Sequence, residues 1–276
     1  MPDRYAVIGN PIAHSKSPAI HARFAQQTVQ DMTYVALAAD EDGFEGTVER
    51  FRSEGGRGMN VTLPFKHRAF ALANRRSARA EQALAANTLD FRDGVISADN
   101  TDGCGLVRDL VANHACELHG RRILLMGAGG AAYGVCGPLL DEGPAELMIA
   151  NRTPEKAVAM CRHFAKLHRY GSRLSAVSFD DLRDRAFGIV VNATSAGLSG
   201  EMPSLPPELF APDALAYEMV YGRSTPFLGF ARARGARTAD GLGMLVEQAA
   251  ESFFIWRGVR PETAPVIAEL RAVARV

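Results

Sequence analysis

Short apolar runs alternate along this chain with longer stretches whose apolar positions recur at helical spacing. Arg4 to Ile8 reads as a strand that stops at Gly9-Asn10-Pro11. Ser17 to Thr28 predicts a helix, with Ser17 as its N-cap and Pro18 at the first helical position. Thr33 to Ala38 predicts a second strand, Gly43 to Glu54 a second helix, and Gly58 to Val61 a third strand ended by Pro64. This β-α-β-α-β order predicts a mainly parallel sheet covered by helices.

A second α/β unit opens near Gly120. Arg122 to Met126 is a short apolar run, and Gly127-Ala128-Gly129-Gly130-Ala131-Ala132 leads into a helical stretch reaching Asp141. Strands are predicted at Glu146 to Ala150, Ile189 to Val191 and Ala214 to Val220, and a helix at Pro154 to His168. After Asp240 the pattern turns helical, at Gly243 to Trp256 and Glu262 to Ala274. No internal repeat or low-complexity segment interrupts it. The fold class expected is α/β in two domains, with the last helices returning to the first.

Composition narrows the partners. In 276 residues, Lys plus Arg and Asp plus Glu both number 31, so no basic excess points to nucleic acid or a membrane surface. The four cysteines, Cys104, Cys116, Cys136 and Cys161, include no C-x-x-C pair, so they read as reduced, mostly buried thiols with no metal site among them. Charged Asp3 and Arg4 break the short apolar start, and no apolar run is long enough to span a bilayer. The expectation is a cytoplasmic protein acting on a small molecule, as a monomer or homodimer.

The glycine loop supplies the first chemistry. Strand, G-x-G-x-x-A at Gly127, Gly129 and Ala132, then helix, is the setting a dinucleotide site requires. Gly127 permits a tight turn, Gly129 admits a pyrophosphate to the backbone, and Ala132 allows close helix–strand packing, with free N–H groups at the helix start. A ligand-free glycine turn would look similar, but the flanking strand and helix favour the cofactor. At the end of the next strand an NAD site usually carries an acid. Here stand Asn151-Arg152-Thr153, with Lys156 one turn on, which suits a 2′-phosphate and hence NADP. The same residues also serve as capping chemistry, with Thr153 as N-cap and Pro154 behind it. Both uses are compatible.

Three polar segments punctuate the first domain where an open sheet places its ligands. Gly9 to Pro18 holds two hydroxyls, Ser15 and Ser17, able to donate to a carboxylate. Asn60-Val61-Thr62-Leu63-Pro64-Phe65-Lys66 and Asn100-Thr101-Asp102-Gly103 follow, with Asn87-Thr88 between them. Singly, such a lysine is a solvated surface residue and such an aspartate a turn or cap. Together they provide a Lys, an Asp and neutral donors beside a dinucleotide site. Hydride transfer to a ketone needs a proton donor at the nascent alkoxide, and a Lys–Asp pair can serve.

In order and over nearly the whole chain, these segments resemble the signatures of the shikimate dehydrogenase family. G-N-P-I-x-H-S-x-S-P matches Gly9 to Pro18, N-V-T-x-P-x-K matches Asn60 to Lys66, and N-T-D-G matches Asn100 to Gly103. The glycine loop, Asn151 to Thr153, Asn192 to Ser195, Thr225 to Leu228 and Asp240 to Ala249 also agree. The resemblance implies a substrate domain at residues 1–103, an NADP-binding Rossmann-like domain at 104–239, and helices at 240–276 packing back on the first. It implies NADPH-dependent, reversible reduction of 3-dehydroshikimate to shikimate, on the route to chorismate and aromatic amino acids. By matching position, Ser15 and Ser17 hold the substrate carboxylate, helped by Tyr221. Thr62, Asn87 and Gln248 meet ring hydroxyls, with Asn60 in the same substrate-binding set. Lys66 is the acid/base and Asp102 its neighbour. Gly127, Ala128, Gly129, Gly130 and Ala131 meet the pyrophosphate, and Asn151, Arg152, Thr153 and Lys156 the adenosine phosphate. Met219 and Gly241 lie near the nicotinamide, and Thr194 completes the cofactor set.

Departures fall at Ala22, Leu84, Tyr133, Glu218 and Gly222-Arg223, where the family more often has Asn, Gly, Arg, Asp and Asn-Pro. They touch the expected cofactor affinity and leave the Lys66–Asp102 chemistry alone. Two readings stand beside the main one: a dual-specificity quinate/shikimate dehydrogenase, and a non-catalytic NADP-binding sensor. Ser17 and Asn151-Arg152-Thr153 argue against the first, and the presence of both Lys66 and Asp102 against the second. A folate-type dehydrogenase would lack the paired serines.

Overall fold

Tyr5 to Gly9 is buried without a break, as a strand flanked on both sides must be. The computed structural model describes residues 1–167 and 173–273. In chain order its elements begin with β1 (Asp3–Gly9), α1 (Ser17–Thr28), β2 (Met32–Ala38), α2 (Phe44–Ser53) and β3 (Gly56–Val61). Next come α3 (Lys66–Leu72), β4 (Arg75–Arg76), α4 (Ala78–Ala83), β5 (Thr88–Asp90), β6 (Ser97–Asp99) and α5 (Asp102–Arg108). The chain divides after Gly105 and again after Met244, where the sequence placed cuts after 103 and 239. One compact unit is Met1–Gly105 with Leu245–Val276, and the other is Leu106–Met244.

The first unit's sheet runs β2-β1-β3-β5-β6-β4. β1 pairs in parallel with β2 and β3, but β3–β5 and β5–β6 are antiparallel. The sheet is therefore mixed, with an antiparallel meander that the opening rhythm did not announce. Helix α2 buries Phe44, Val48 and Phe51, one stripe at helical spacing, against Met59 and Leu89.

The second unit holds β7 (Arg122–Met126), α6 (Gly130–Asp141), β8 (Glu146–Ala150), α7 (Pro154–Ala165), β9 (Leu174–Val177) and β10 (Phe187–Asn192). It continues with α8 (Ala196–Ser199), β11 (Phe210–Glu218), α9 (Pro226–Arg232) and β12 (Arg237–Asp240). Its six strands are all parallel, in the order β12-β11-β10-β7-β8-β9. The order reverses between β7 and β10, which is where an open α/β sheet leaves a crevice at its carboxyl edge. Side chains alternate across β7: Ile123 and Leu125 enter one core, Leu124 and Met126 the other.

Helices α10 (Leu242–Arg257) and α11 (Ala264–Val273) end the chain. Val246, Ala249 and Phe253 of α10 and Val266 and Ile267 of α11 pack on Ile20 and Phe24 of α1, so the last helices do return to the first unit. The ends predicted for two helices, His168 and Ala274, lie outside the described residues. Only Cys136 among the four free cysteines is fully buried, so the thiols are less enclosed than expected. Among the described residues no helix is long and apolar enough to cross a membrane.

Candidate active site

The antiparallel meander is what assembles the polar groups of the first unit. Its register aligns Asn60 with Thr88, and Thr88 with Asp99, so the end of β3, the start of β5 and the end of β6 share one edge. Backbone bonds from Val61 N to Asn87 O (2.8 Å) and from Asn87 N to Asp99 O (3.1 Å) hold that edge together. Lys66 is the first residue of α3 and Asp102 the first of α5. Their side chains meet at 2.6 Å, Nζ to Oδ2, and are 21% and 10% exposed. The pair is close and largely withdrawn from water, yet open enough at Lys66 for a small molecule or solvent to reach the amine.

Asp102 is oriented from both ends. Its N–H donates to Asn100 Oδ1 at 3.1 Å, and its Oδ1 accepts from Asn87 Nδ2 at 2.9 Å. Asn87 Nδ2 also faces Thr101 Oγ1 (2.9 Å) and Gln248 Oε1 (3.1 Å), so two amide hydrogens serve three acceptors. Asn87 Oδ1 accepts from Thr101 N at 2.8 Å and from Thr88 Oγ1 at 2.9 Å. Asn60 is equally committed, accepting from the Tyr34 hydroxyl at 2.7 Å and donating to Ser252 Oγ at 2.9 Å. The pattern of residue types gives no reason to single out Tyr34 or Ser252 in this network. Ser252 stands one helical turn beyond Gln248 on α10, and that spacing was the one available signal.

The paired serines sit where α1 begins, with a correction to their capping role. The N-cap position is Lys16, so Ser17 lies inside the helix and Pro18 one place later than expected. The N–H of Ser17 donates to Ser15 Oγ at 3.3 Å, so Ser15 does the local capping and the Ser17 hydroxyl is not consumed by it. Ser17 is buried and Ser15 half-buried. Thr62 follows β3, and its methyl occupies the space a side chain at Gly9 would need. Behind this wall lies His21, fully buried and stacked on Tyr34 at 4.1 Å. Neither of its ring nitrogens makes a hydrogen bond of good geometry among the described residues, and Asn60 is the polar side chain that faces it. Burial lowers its pKa from 6.5 to about 3.

All the residues expected to bind a dinucleotide fall in the second unit, as does Tyr221, half-buried after β11. Gly127 follows β7 with φ +109°, a conformation that side-chain-bearing residues avoid, and a Cβ there would crowd the backbone of Ala193 and Thr194. At Gly129, by contrast, an added Cβ would meet nothing within 4 Å. No side chain caps the start of α6 there, so its first N–H groups have no side-chain capping partner among the described residues. Thr194 is fixed by Asn192, whose Oδ1 accepts from both Thr194 N (3.1 Å) and Oγ1 (2.7 Å). Asn192 Nδ2 donates in turn to buried Glu218 at 2.8 Å, and Thr225 Oγ1 donates to the same carboxylate at 3.1 Å. Burial pushes the Glu218 carboxyl up, against the pull of these bonds. Gly241 is pressed on the backbone of Met219, so only glycine fits there.

Thr153 occupies the N-cap position of α7 but makes no side-chain capping bond; Asn151 Nδ2 donates to Thr153 O at 2.9 Å instead. Arg152, Thr153 and Lys156 are exposed, and neither cation forms an ion pair among the described residues. An uncapped helix start, a bare glycine turn and unpaired cations fit a dinucleotide with an extra phosphate. No group of three or more His, Cys, Asp or Glu among the described residues could hold a metal ion.

Comparison with known proteins gives a consistent assignment. The shikimate dehydrogenase substrate binding domain family matches residues 7–89, the shikimate / quinate 5-dehydrogenase family 109–198, and the shikimate 5'-dehydrogenase C-terminal domain family 241–271. Shikimate dehydrogenase (NADP(+)) of Methylobacillus flagellatus is 58% identical over 98% of this chain and 99% of its own. That of Aromatoleum aromaticum is 59% identical over 98% and 97%. An Ael1 enzyme from Pseudomonas putida superposes with TM-score 0.93 at 54% identity, over 97% of this chain and 98% of that one. Shikimate 5-dehydrogenase from Thermus thermophilus, in complex with NADP(H) and shikimate, gives 0.86 at 34% identity over 98% and 99%.

Proposed function

The chain belongs to the shikimate dehydrogenase family, and on that premise we propose how its own residues carry out the NADP-dependent interconversion of 3-dehydroshikimate and shikimate. The observation that carries the proposal is the Lys66–Asp102 pair, 2.6 Å apart beside the edge that β3, β5 and β6 share. The first unit serves as substrate domain and the second as cofactor domain, in a cytoplasmic monomer or homodimer.

When bound, NADPH supplies the hydride that reaches the ring ketone. Lys66 ammonium donates the proton to the carbonyl oxygen as negative charge develops there. In the oxidising direction its neutral amine takes the hydroxyl proton. Asp102 holds Nζ in line, and Asn87 holds Asp102 through the other carboxylate oxygen. Ser15 and Ser17 donate to the substrate carboxylate, assisted by Tyr221. Thr62, Asn87 and Gln248 face the ring hydroxyls, and Asn60 supports Asn87 from beneath. Gly127, Ala128, Gly129, Gly130 and Ala131 cradle the pyrophosphate with the start of α6. Asn151, Arg152, Thr153 and Lys156 read the adenosine phosphate, while Thr194, Met219 and Gly241 form the rest of the cofactor wall.

The test is a nicotinamide-absorbance assay pairing NADP⁺ or NAD⁺ with shikimate or quinate. The expected result is turnover of shikimate with NADP⁺, far above the other pairings. Comparable turnover of quinate would establish dual specificity, and none with any pair would leave a binding protein.

A further inference from the structure

Arg79, on α4, lies outside every signature segment, yet it bonds to β6, α5 and α10 around the turn that carries Asp102. Its Nε and Nη2 fork onto Asp99, at 2.9 Å to Oδ1 and 2.6 Å to Oδ2. Its Nη1 donates to Glu251 Oε1 on α10 and to Cys104 Sγ, both at 2.9 Å. Asp99 is more than a counter-ion: its Oδ1 also accepts from Asn100 N at 2.7 Å, at the entrance to the turn that delivers Asp102. Ser77, the N-cap of α4, donates to the same oxygen at 2.7 Å. On the other side, Glu251 lies one turn beyond Gln248 and next to Ser252. Those two residues reach Asn87 and Thr101, at 3.1 and 3.2 Å.

We propose that Arg79 is a positioning residue for the reaction, fastening the Asn100–Asp102 turn to α10 so that Asp102 and Gln248 are both held at Asn87. A lysine cannot do this. Only the planar guanidinium fork can grip one carboxylate with two bonds and still present a donor to a second. The four charges alternate, Asp99, Arg79, Glu251, Arg260, with Arg260 Nη1 on Glu251 Oε2 at 2.5 Å. Asp99 and Glu251 are 17% and 15% exposed, so loss of Arg79 would leave two poorly solvated carboxylates facing each other. The turn and helix would move apart and carry Asp102 off the line to Lys66. Arg260 supplies an internal control. It braces Glu251 from the far side and touches nothing in the turn, so it contributes to stability only.

The proposal rests on the roles given above to Lys66 and Asp102, and it is tested by Arg79→Met and Arg79→Lys against Arg260→Met. Three quantities are read: melting temperature, steady-state kinetics with shikimate, and calorimetric binding of shikimate to the cofactor-free enzyme. Both Arg79 variants should lose kcat by about 10- to 100-fold, the scale of a catalytic group displaced by around an ångström. Shikimate binding should weaken as well, through Gln248. Arg260→Met should melt earlier with kcat and KM unchanged. If Arg79→Met does not fold, Arg79→Lys, which keeps the charge, carries the test. A folded Arg79 variant with kcat and shikimate affinity within twofold of the parent overturns the proposal, as does Arg260→Met matching the kinetic loss. Failure of the underlying roles is separate, because it would appear as normal turnover in Lys66→Met.

Discussion

Replacing Lys66 with Met tests the centre of the mechanism, because it keeps nearly the same side-chain length and removes only the proton and charge. In the structure Lys66 contributes one interaction of consequence, the 2.6 Å contact with Asp102 Oδ2. Asp102 Oδ1 retains its bond from Asn87, and the Asp102 carboxylate stands at the first residue of α5, where a helix start favours negative charge. Fully burying an orphaned partner costs about 3–5 kcal/mol. Here one side chain is 21% exposed and the other keeps a donor, so the folding loss should be nearer ~1 kcal/mol. The catalytic loss should be far larger. Loss of positioned acid–base catalysis costs ~10²–10⁴-fold in kcat, which is about 3–5 kcal/mol of barrier. Urea unfolding measures the first quantity and shikimate-dependent reduction of NADP⁺ the second. Asp102→Asn should also lose activity, and the double variant should lose less than the product of the two, since both act on one proton path. Lys66→Met turning over shikimate near the parent rate would refute the assignment.

The remaining predictions concern recognition and pH. Arg152→Ala should raise KM for NADP⁺ much more than for NAD⁺, by about 10- to 100-fold for a lost charge-assisted bond of ~1.5–3 kcal/mol; equal changes with both would show that Arg152 does not read the phosphate. Ser15→Ala/Ser17→Ala should lower kcat/KM for shikimate while cofactor affinity survives, and unchanged kinetics would remove the carboxylate role. Its melting temperature should fall modestly, because the 3.3 Å bond to Ser15 Oγ and the contact of the buried Ser17 hydroxyl with Tyr34 are both lost. His21 is neutral when folded, with a pKa of about 3 against 6.5. Its contribution is complete above pH 6.5 and is lost as pH falls towards about 3, at up to ~1.4 kcal/mol per pH unit. His21→Phe keeps the stack on Tyr34 and removes the proton, so its stability should fall less steeply with acid; equal slopes in urea unfolding at several pH values would refute this.

The parts legible from the chain were those with a long repeat of one physical signal. Helix α1 spans the predicted Ser17–Thr28, and β7, α6 and β8 keep their predicted frames, because each presents a clear apolar period bounded by Gly or Pro. The strands β5 and β6 were invisible for the opposite reason. Each has three residues, too few to display an alternation, and they pair through the meander and not through a helical crossover. That gap matters, since it is this meander that brings Asn60, Asn87 and Asp102 to one edge. Lys66 and Asp102 lie in separate segments of the chain, and it is the register of β3, β5 and β6 that makes them neighbours. The misplaced cap at Ser17 has a similar origin. Ser15 and Ser17 carry the same hydroxyl two positions apart, and a one-residue change in where the helix begins exchanges their duties.

The two units use their polar groups differently, and the difference follows from what each is proposed to recognise. Around Asn87 nearly every donor and acceptor already has a protein partner, so the orientation of Asp102 is set before any ligand arrives. Such preorganisation suits a proton transfer, where a donor must stand within hydrogen-bond reach of one atom. At the glycine turn the reverse holds. The start of α6 has no side-chain cap, Gly129 faces open space, and Arg152 and Lys156 reach into solvent without counter-ions among the described residues. Phosphates bring their own charge and several acceptor oxygens, so flexible exposed cations meet them without first breaking an internal pair. A substitution near Asn87 should therefore register mainly in kcat, and one near Arg152 mainly in KM for the cofactor. A kcat loss in Arg152→Ala as large as that in Lys66→Met would mean this division is wrong, and that phosphate contacts also set the catalytic geometry.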